Sequence, residues 1–312
     1  SELQPQRAFQ ELERIGAGEY GVVYKVQAVA DRHGVKAGGV YAMKVLLKKK
    51  FEAEKMVRYA YGERNVLKCT RHPFLVSLQC CFQIESPSPS WVLVMEYCPN
   101  GSLQQLANAH SRGVPVERVQ RYTAEMTLAL EYLHQKRIVF RDLKPDNVVL
   151  SSRDHAKLTD FGMAKLDVDS EAGTRSYCGS YGYTAPEVNG RQQYHSGVDI
   201  YSLGVTVYVL LSGGKRILHN GESVGAPPPH HPGLVEALAA LSYKKEHATG
   251  ARFAQRATEV EPEARATASE LLRHQFIRLV GVQALLEDAR EDAERAPQQE
   301  GQTILGVGTS WS

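Results

Sequence analysis

The run Arg141-Asp142-Leu143-Lys144-Pro145-Asp146-Asn147 sets a potential base, a cation and an amide in one short loop. Asp142 suits the proton of an incoming hydroxyl, Lys144 a phosphoryl group in transfer, and Asn147 a magnesium ion through its side-chain oxygen. Asp160, followed by Phe161 and Gly162, adds a second hard-oxygen ligand beside a ring able to anchor the loop in a core. The chemistry implied is metal-assisted phosphoryl transfer. A solvated run of charge is the alternative, which Pro145 and the apolar flanks disfavour.

Earlier in the chain, Gly16, Gly18 and Gly21 fall between two predicted strands, where missing side chains permit a sharp turn and close approach of backbone to phosphate. A dinucleotide fold would continue as helix. Here Val22, Val23 and Tyr24 continue as strand, which favours a hairpin covering a nucleotide, although a plain structural turn has the same pattern. Lys44 lies in the apolar segment 41–46, where an unpaired ammonium is costly. Glu63, on the following helix and one turn before Leu67, is the expected partner; a surface lysine and glutamate is the bland reading of the same two residues.

These residues need a frame. Segments 9–15, 22–28, 40–47, 74–84 and 91–95 read as strands, and 52–68, with Met56, Tyr59, Ala60, Glu63 and Leu67 at three- and four-residue steps, reads as a helix against the sheet. Residues 98–101 read as a linker. Helical patterns follow at 103–109, 116–134, 201–211 and 253–280. The fold class expected is α+β and two-lobed, with a small lobe at 9–97, a hinge at 98–101, a large lobe at 102–280 and a divergent or flexible tail at 281–312. Acidic 287–294 reads as a solvated helix face. Segment 213–233 reads as a surface excursion whose His219, His230 and His231 lack metal-ligand spacing.

The 312 residues carry 37 basic and 35 acidic side chains and are 43% hydrophobic, which describes an ordinary globule without a global field for nucleic acid. The longest strongly apolar run, 203–211, is short of the roughly 20 residues that cross a bilayer, and residues 1–7 show no secretory core. The five cysteines, Cys69, Cys80, Cys81, Cys98 and Cys178, favour a reducing compartment, cytoplasmic or nuclear.

With Ala42, Met43 and Lys44, the motifs around Asp142 and Asp160 resemble those of the eukaryotic protein-kinase family across residues 9–279. The AGC serine/threonine group is the most similar in Glu63-Arg64-Asn65-Val66-Leu67 and Arg71-His72-Pro73-Phe74. The resemblance implies ATP and Mg2+ as cofactors, Lys44 on the phosphates and paired with Glu63, Val23 and Ala42 around adenine, Met95 as gatekeeper, and backbone bonds to adenine at Glu96 and Cys98. It implies that Phe140, in place of a commoner histidine or tyrosine, packs beneath Phe161. The segment 160–187 corresponds to an activation segment, with Arg265 pairing to Glu187 and Asp199 bracing the catalytic loop. Ser176 corresponds to an activating phosphosite held by Arg141 and Lys165, and Ser180 to a residue shaping the substrate pocket.

Through Lys144, the resemblance implies serine or threonine acceptors rather than tyrosine. Ser102 stands where related basophilic kinases often carry a glutamate for substrate arginine, leaving Asp146 as the nearby acid. The tail lacks the paired-phenylalanine motif of the group, and Trp311 is no substitute. The function expected is an ATP-dependent serine/threonine protein kinase acting on protein substrates, with an upstream activating kinase as a further partner. The alternatives are a pseudokinase scaffold and a small-molecule phosphotransferase.

Overall fold

The computed structural model describes residues 8–18, 21–31, 34–48, 53–85, 88–168, 173–213 and 232–295. Among these the chain forms two lobes, a sheet lobe with one main helix and a larger helical lobe. Strands β1 (Phe9–Ala17), β2 (Val22–Ala28), β3 (Val40–Leu47), β4 (Leu78–Ile84) and β5 (Ser90–Glu96) lie in the order β1-β2-β3-β5-β4, with every pairing antiparallel. Alternation sets the faces. In β3, Lys44 and Leu46 are buried on one face and Tyr41 on the other, and Lys44 is paired with Val23 on one side and Leu93 on the other. Helix α1 (Ala53–Cys69) follows and buries Tyr59, Ala60, Glu63, Val66 and Leu67.

The expected strand at 74–84 begins only at Leu78. Residues Phe74 and Val76 instead exchange backbone bonds with Leu158 of the large lobe, which ties the lobes together behind the cleft. Beyond β5, Asn100 N–H donates to Leu150 O and its side chain to Ser151 O.

The large lobe opens with α2 (Leu103–Ala109) and α3 (Val116–Gln135), followed by the short hairpin β6 (Val148–Leu150) and β7 (Ala156–Leu158). Next come α4 (Pro186–Asn189) and α5 (Gly197–Ser212), the latter buried along nearly its whole length, which its run of Val, Leu, Ile and Tyr requires. Helix α7 (Ala248–Ala257) packs on α5, and α6 (Pro232–Ser242) packs on α7. The excursion expected at 213–233, with its three histidines, falls almost wholly outside the described residues.

Two expectations are corrected here. The single helix at 253–280 is three: α7 ends at Ala257, and α8 (Ala268–Leu271) and α9 (Gln275–Arg278) follow separate caps. Between them the backbone turns to wrap Arg265, whose guanidinium donates to the carbonyls of Glu259 and Val260. Thr267 then restarts helix through a reciprocal cap with Glu270.

The second correction concerns the tail expected to pack weakly from residue 281. Its first part is a helix, α10 (Val282–Arg295), with Leu285 and Ala289 buried in the large-lobe core. Its acidic face is not wholly solvated: Asp288 pairs with Arg153 and His155, and Asp292 accepts from Ser152 Oγ at 2.9 Å. Residues 296–312 lie outside the described part. No helix among the described residues is long and apolar enough to cross a membrane.

Candidate active site

A cavity of about 1080 Å3 lies between the lobes and gathers residues from the glycine turn, β3, α1, the end of β5 and the loops that carry Asp142 and Asp160. Gly16, Gly18, Gly21, Val23 and Ala42 line it from the sheet, Met95, Glu96 and Cys98 from the hinge side, and Asp142, Lys144, Asn147 and Asp160 from below. Gly18 N–H donates to Gly21 O at 2.9 Å, closing the turn between β1 and β2. At Gly21 a side chain is excluded: a Cβ would stand 2.4 Å from the carbonyl of Val45.

Lys44 Nζ donates to both carboxylate oxygens of Glu63, at 2.9 and 2.8 Å, and to Asp160 Oδ1 at 2.9 Å. Burial opposes its charge, yet the carboxylates of Asp160 and Glu63 outweigh burial and hold the ammonium above its ordinary pKa. Burial likewise pushes the Asp160 carboxyl up, but Lys44, Tyr59 and the Gly162 N–H bring it below its usual range. Both groups are therefore charged at neutral pH. Asp160 keeps 38% of its side chain exposed toward the cleft, whereas Glu63 is fully buried.

Asp142 is held by three donors. Ser180 Oγ donates to its Oδ1 at 2.7 Å, Lys144 Nζ to Oδ2 at 3.1 Å and Asn147 Nδ2 to Oδ2 at 2.8 Å. Lys144 also donates to Ser180 Oγ at 2.5 Å. Asn147 commits its NH2 to Asp142, leaving the amide oxygen as its atom for a cation. No group of three or more His, Cys, Asp or Glu among the described residues could hold a metal alone. One carboxylate and one amide oxygen, completed by phosphate and water, fit magnesium.

The loop itself is braced from α5. Asp199, with no exposure, accepts from the backbone N–H of Phe140 at 2.8 Å and of Arg141 at 2.7 Å, and lies 2.9 Å from His134 Nε2. It is a brace rather than a helix cap. Phe140 meets Phe161 edge to face at 5.3 Å. Arg265 forks onto Glu187 at 2.6 and 3.0 Å.

Around Ser176 the cations divide. Arg141 Nη1 donates to Ser176 Oγ at 2.6 Å, but Lys165 Nζ donates to Thr174 Oγ1, which stands 3.2 Å from Ser176 Oγ. Thr174 is thus an intermediary that the sequence reading did not include. Ser102 lines the cavity and is also the N-cap of α2, exchanging bonds with Gln105 in both directions. Glu96 turns its carboxylate away to Ser77 N–H and Lys157.

One residue was missed. The three- and four-residue spacing presents Tyr59 as an apolar step of α1, yet its hydroxyl donates to Asp160 Oδ1 at 2.5 Å and accepts from Lys44 at 3.2 Å. The available signal was a hydroxyl one turn before Glu63 on the same helix face.

Residues 9–277 match the model of a family described as the protein kinase domain. Among curated proteins the chain is similar to a putative ribosomal protein S6 kinase alpha-1 of Caenorhabditis elegans, 40% identical over 207 residues, which is 66% of this chain and 25% of that protein. It is 36% identical over 208 residues to ribosomal protein S6 kinase beta of the same organism, covering 66% of this chain and 36% of the relative. With cAMP-dependent protein kinase type 3 of Saccharomyces cerevisiae it shares 38% identity over 205 residues, 66% of this chain and 48% of the relative. The chain spans less than half the length of each of these relatives.

Proposed function

The chain belongs to the protein kinase domain family, and from that premise we propose that it is an ATP-dependent serine/threonine protein kinase acting on protein hydroxyls. One observation carries the reading. The hydroxyl of Ser180 donates to Asp142 at 2.7 Å while receiving a bond from Lys144 at 2.5 Å. An acceptor serine or threonine needs the same two neighbours, a carboxylate for its proton and a cation for the charge that develops.

Bound magnesium and ATP would supply the electrophilic phosphorus and neutralise its oxygens. Lys44, kept charged by its two carboxylates, would hold phosphate, with Glu63 fixing its direction. Asp160 and Asn147 would offer oxygens to the cation. Val23, Ala42 and Met95 would enclose the base, with the backbone at Glu96 and Cys98 as its polar edge. The likeness to S6 and cAMP-dependent kinases supports a place in the AGC group. Its substrates would be proteins with serine or threonine acceptors, and an upstream kinase acting on Ser176 would be a second partner.

The test is a time course of terminal-phosphate transfer from ATP to serine and threonine peptides. Asp142→Asn and Lys44→Met should unfold cooperatively as the unmodified chain does, yet lose at least about 100-fold in transfer. A folded chain that binds nucleotide without transfer would be a pseudokinase scaffold. Transfer confined to small alcohols would make it a small-molecule phosphotransferase.

A further inference from the structure

Helix α1 reaches the cleft twice. Tyr59 and Glu63, four residues apart, lie on one face of the helix. Glu63 takes Lys44, and Tyr59 takes Asp160. The Tyr59 side chain is built into this spot: the residue is 6% exposed, and its ring occupies the volume that a Cβ at Gly162 would need, within 1.8 Å of Cζ.

Asp160 needs such support. Its φ of 62° is in the left-handed region, which a non-glycine residue keeps only when its surroundings over-determine it. Two side chains donate to its carboxylate, Lys44 and Tyr59. In the reaction proposed above, the Lys44 ammonium is drawn to phosphate, so its bond to Asp160 weakens at the moment when Asp160 must meet a cation. In that reading the Tyr59 hydroxyl keeps its bond to Asp160.

We propose that Tyr59 is a positioning residue for cation binding, its hydroxyl fixing the Asp160 carboxylate in one orientation while Lys44 turns to the nucleotide. The inference rests on the phosphoryl-transfer reading. It assigns to α1 a second role beside that of Glu63, and it requires both the hydroxyl and the bare backbone of Gly162.

The experiment separates the hydroxyl from the ring. ADP affinity of the full chain is measured by calorimetry with and without Mg2+, for the unmodified protein and for Tyr59→Phe, which keeps the ring against Gly162. The gain in ADP affinity on adding Mg2+ should fall roughly tenfold in Tyr59→Phe, the scale of one hydrogen bond to a charged group, while metal-free ADP affinity and the unfolding midpoint change little. A merely space-filling tyrosine would leave the Mg2+ gain intact, and that result would overturn the proposal alone. If the unmodified chain shows no Mg2+ gain, the phosphoryl-transfer reading falls and takes this proposal with it.

Discussion

At the scale of single residues, the firmest interaction remote from the cleft is the fork of Arg265 on Glu187, both side chains nearly without exposure. Removing one partner strands the other as a buried charge. Arg265→Met should therefore destabilise the fold by about 3–5 kcal/mol, read as a lower urea midpoint, and adding Glu187→Leu should recover much of the loss. A midpoint unchanged in Arg265→Met would mean that the carboxylate finds water instead. Most site residues were legible from type and spacing, because Asp142, Lys144 and Asn147 sit in one contiguous run, and an ammonium in an apolar strand calls for an acid. Tyr59 was not. Its partner Asp160 is 101 residues away, and the contact exists only because Gly162 lacks a side chain. No local pattern reports that.

At the scale of elements, strands and long helices followed from alternation and periodicity, but the breaks did not. The turn between α7 and α8 is set by the carbonyls that Arg265 requires, a tertiary demand on an otherwise helical composition. Ser102 teaches the same lesson: its hydroxyl is committed to the first turn of α2, so a glutamate there would sacrifice a cap worth about 1 kcal/mol. The segment at Ser176 invites a prediction. Arg141 Nη1 and Tyr194 OH already contact the Ser176 hydroxyl, and Thr174 relays Lys165 to it. Phosphate brings roughly −1.5 to −2 charge, which these cations would clamp. Enzyme phosphorylated at Ser176 should transfer phosphate to peptide about tenfold faster than dephosphorylated enzyme, by the same scale of charged hydrogen bonds, and Ser176→Ala should remove the difference. Equal rates at measured occupancy would make the hydroxyl an ordinary loop contact.

At the scale of the whole molecule, α10 is fastened at a seam that titrates. His155 Nδ1 lies 2.7 Å from Glu125 of α3, and its Nε2 lies 3.0 Å from Asp288 of α10, with Arg153 beside them. Burial lowers the His155 pKa, but the bond to Glu125 and the charges of Glu125, Asp288 and Asp292 outweigh it and leave a net rise above 6.5. A raised value in the folded state means that protonated His155 adds stability in full below about pH 6.5 and loses it as pH climbs through the folded value. Backbone hydrogen exchange across α10, corrected for its intrinsic pH dependence, should be slower at pH 6 than at pH 8. His155→Gln should erase the difference, and equal protection in the unmodified chain would contradict the assignment. None of this was legible in the sequence, where the acidic stretch looks like any solvated helix face and its cationic partners lie more than 130 residues earlier.

That seam also fixes how the chain can be cut. A recombinant fragment stopped at residue 277, where the family match ends, would uncover the core surface that Leu285 and Ala289 occupy and would leave Arg153 and His155 facing solvent without Asp288. The unit to produce for crystallisation or assay therefore runs through Arg295, beyond the boundary that homology alone would draw.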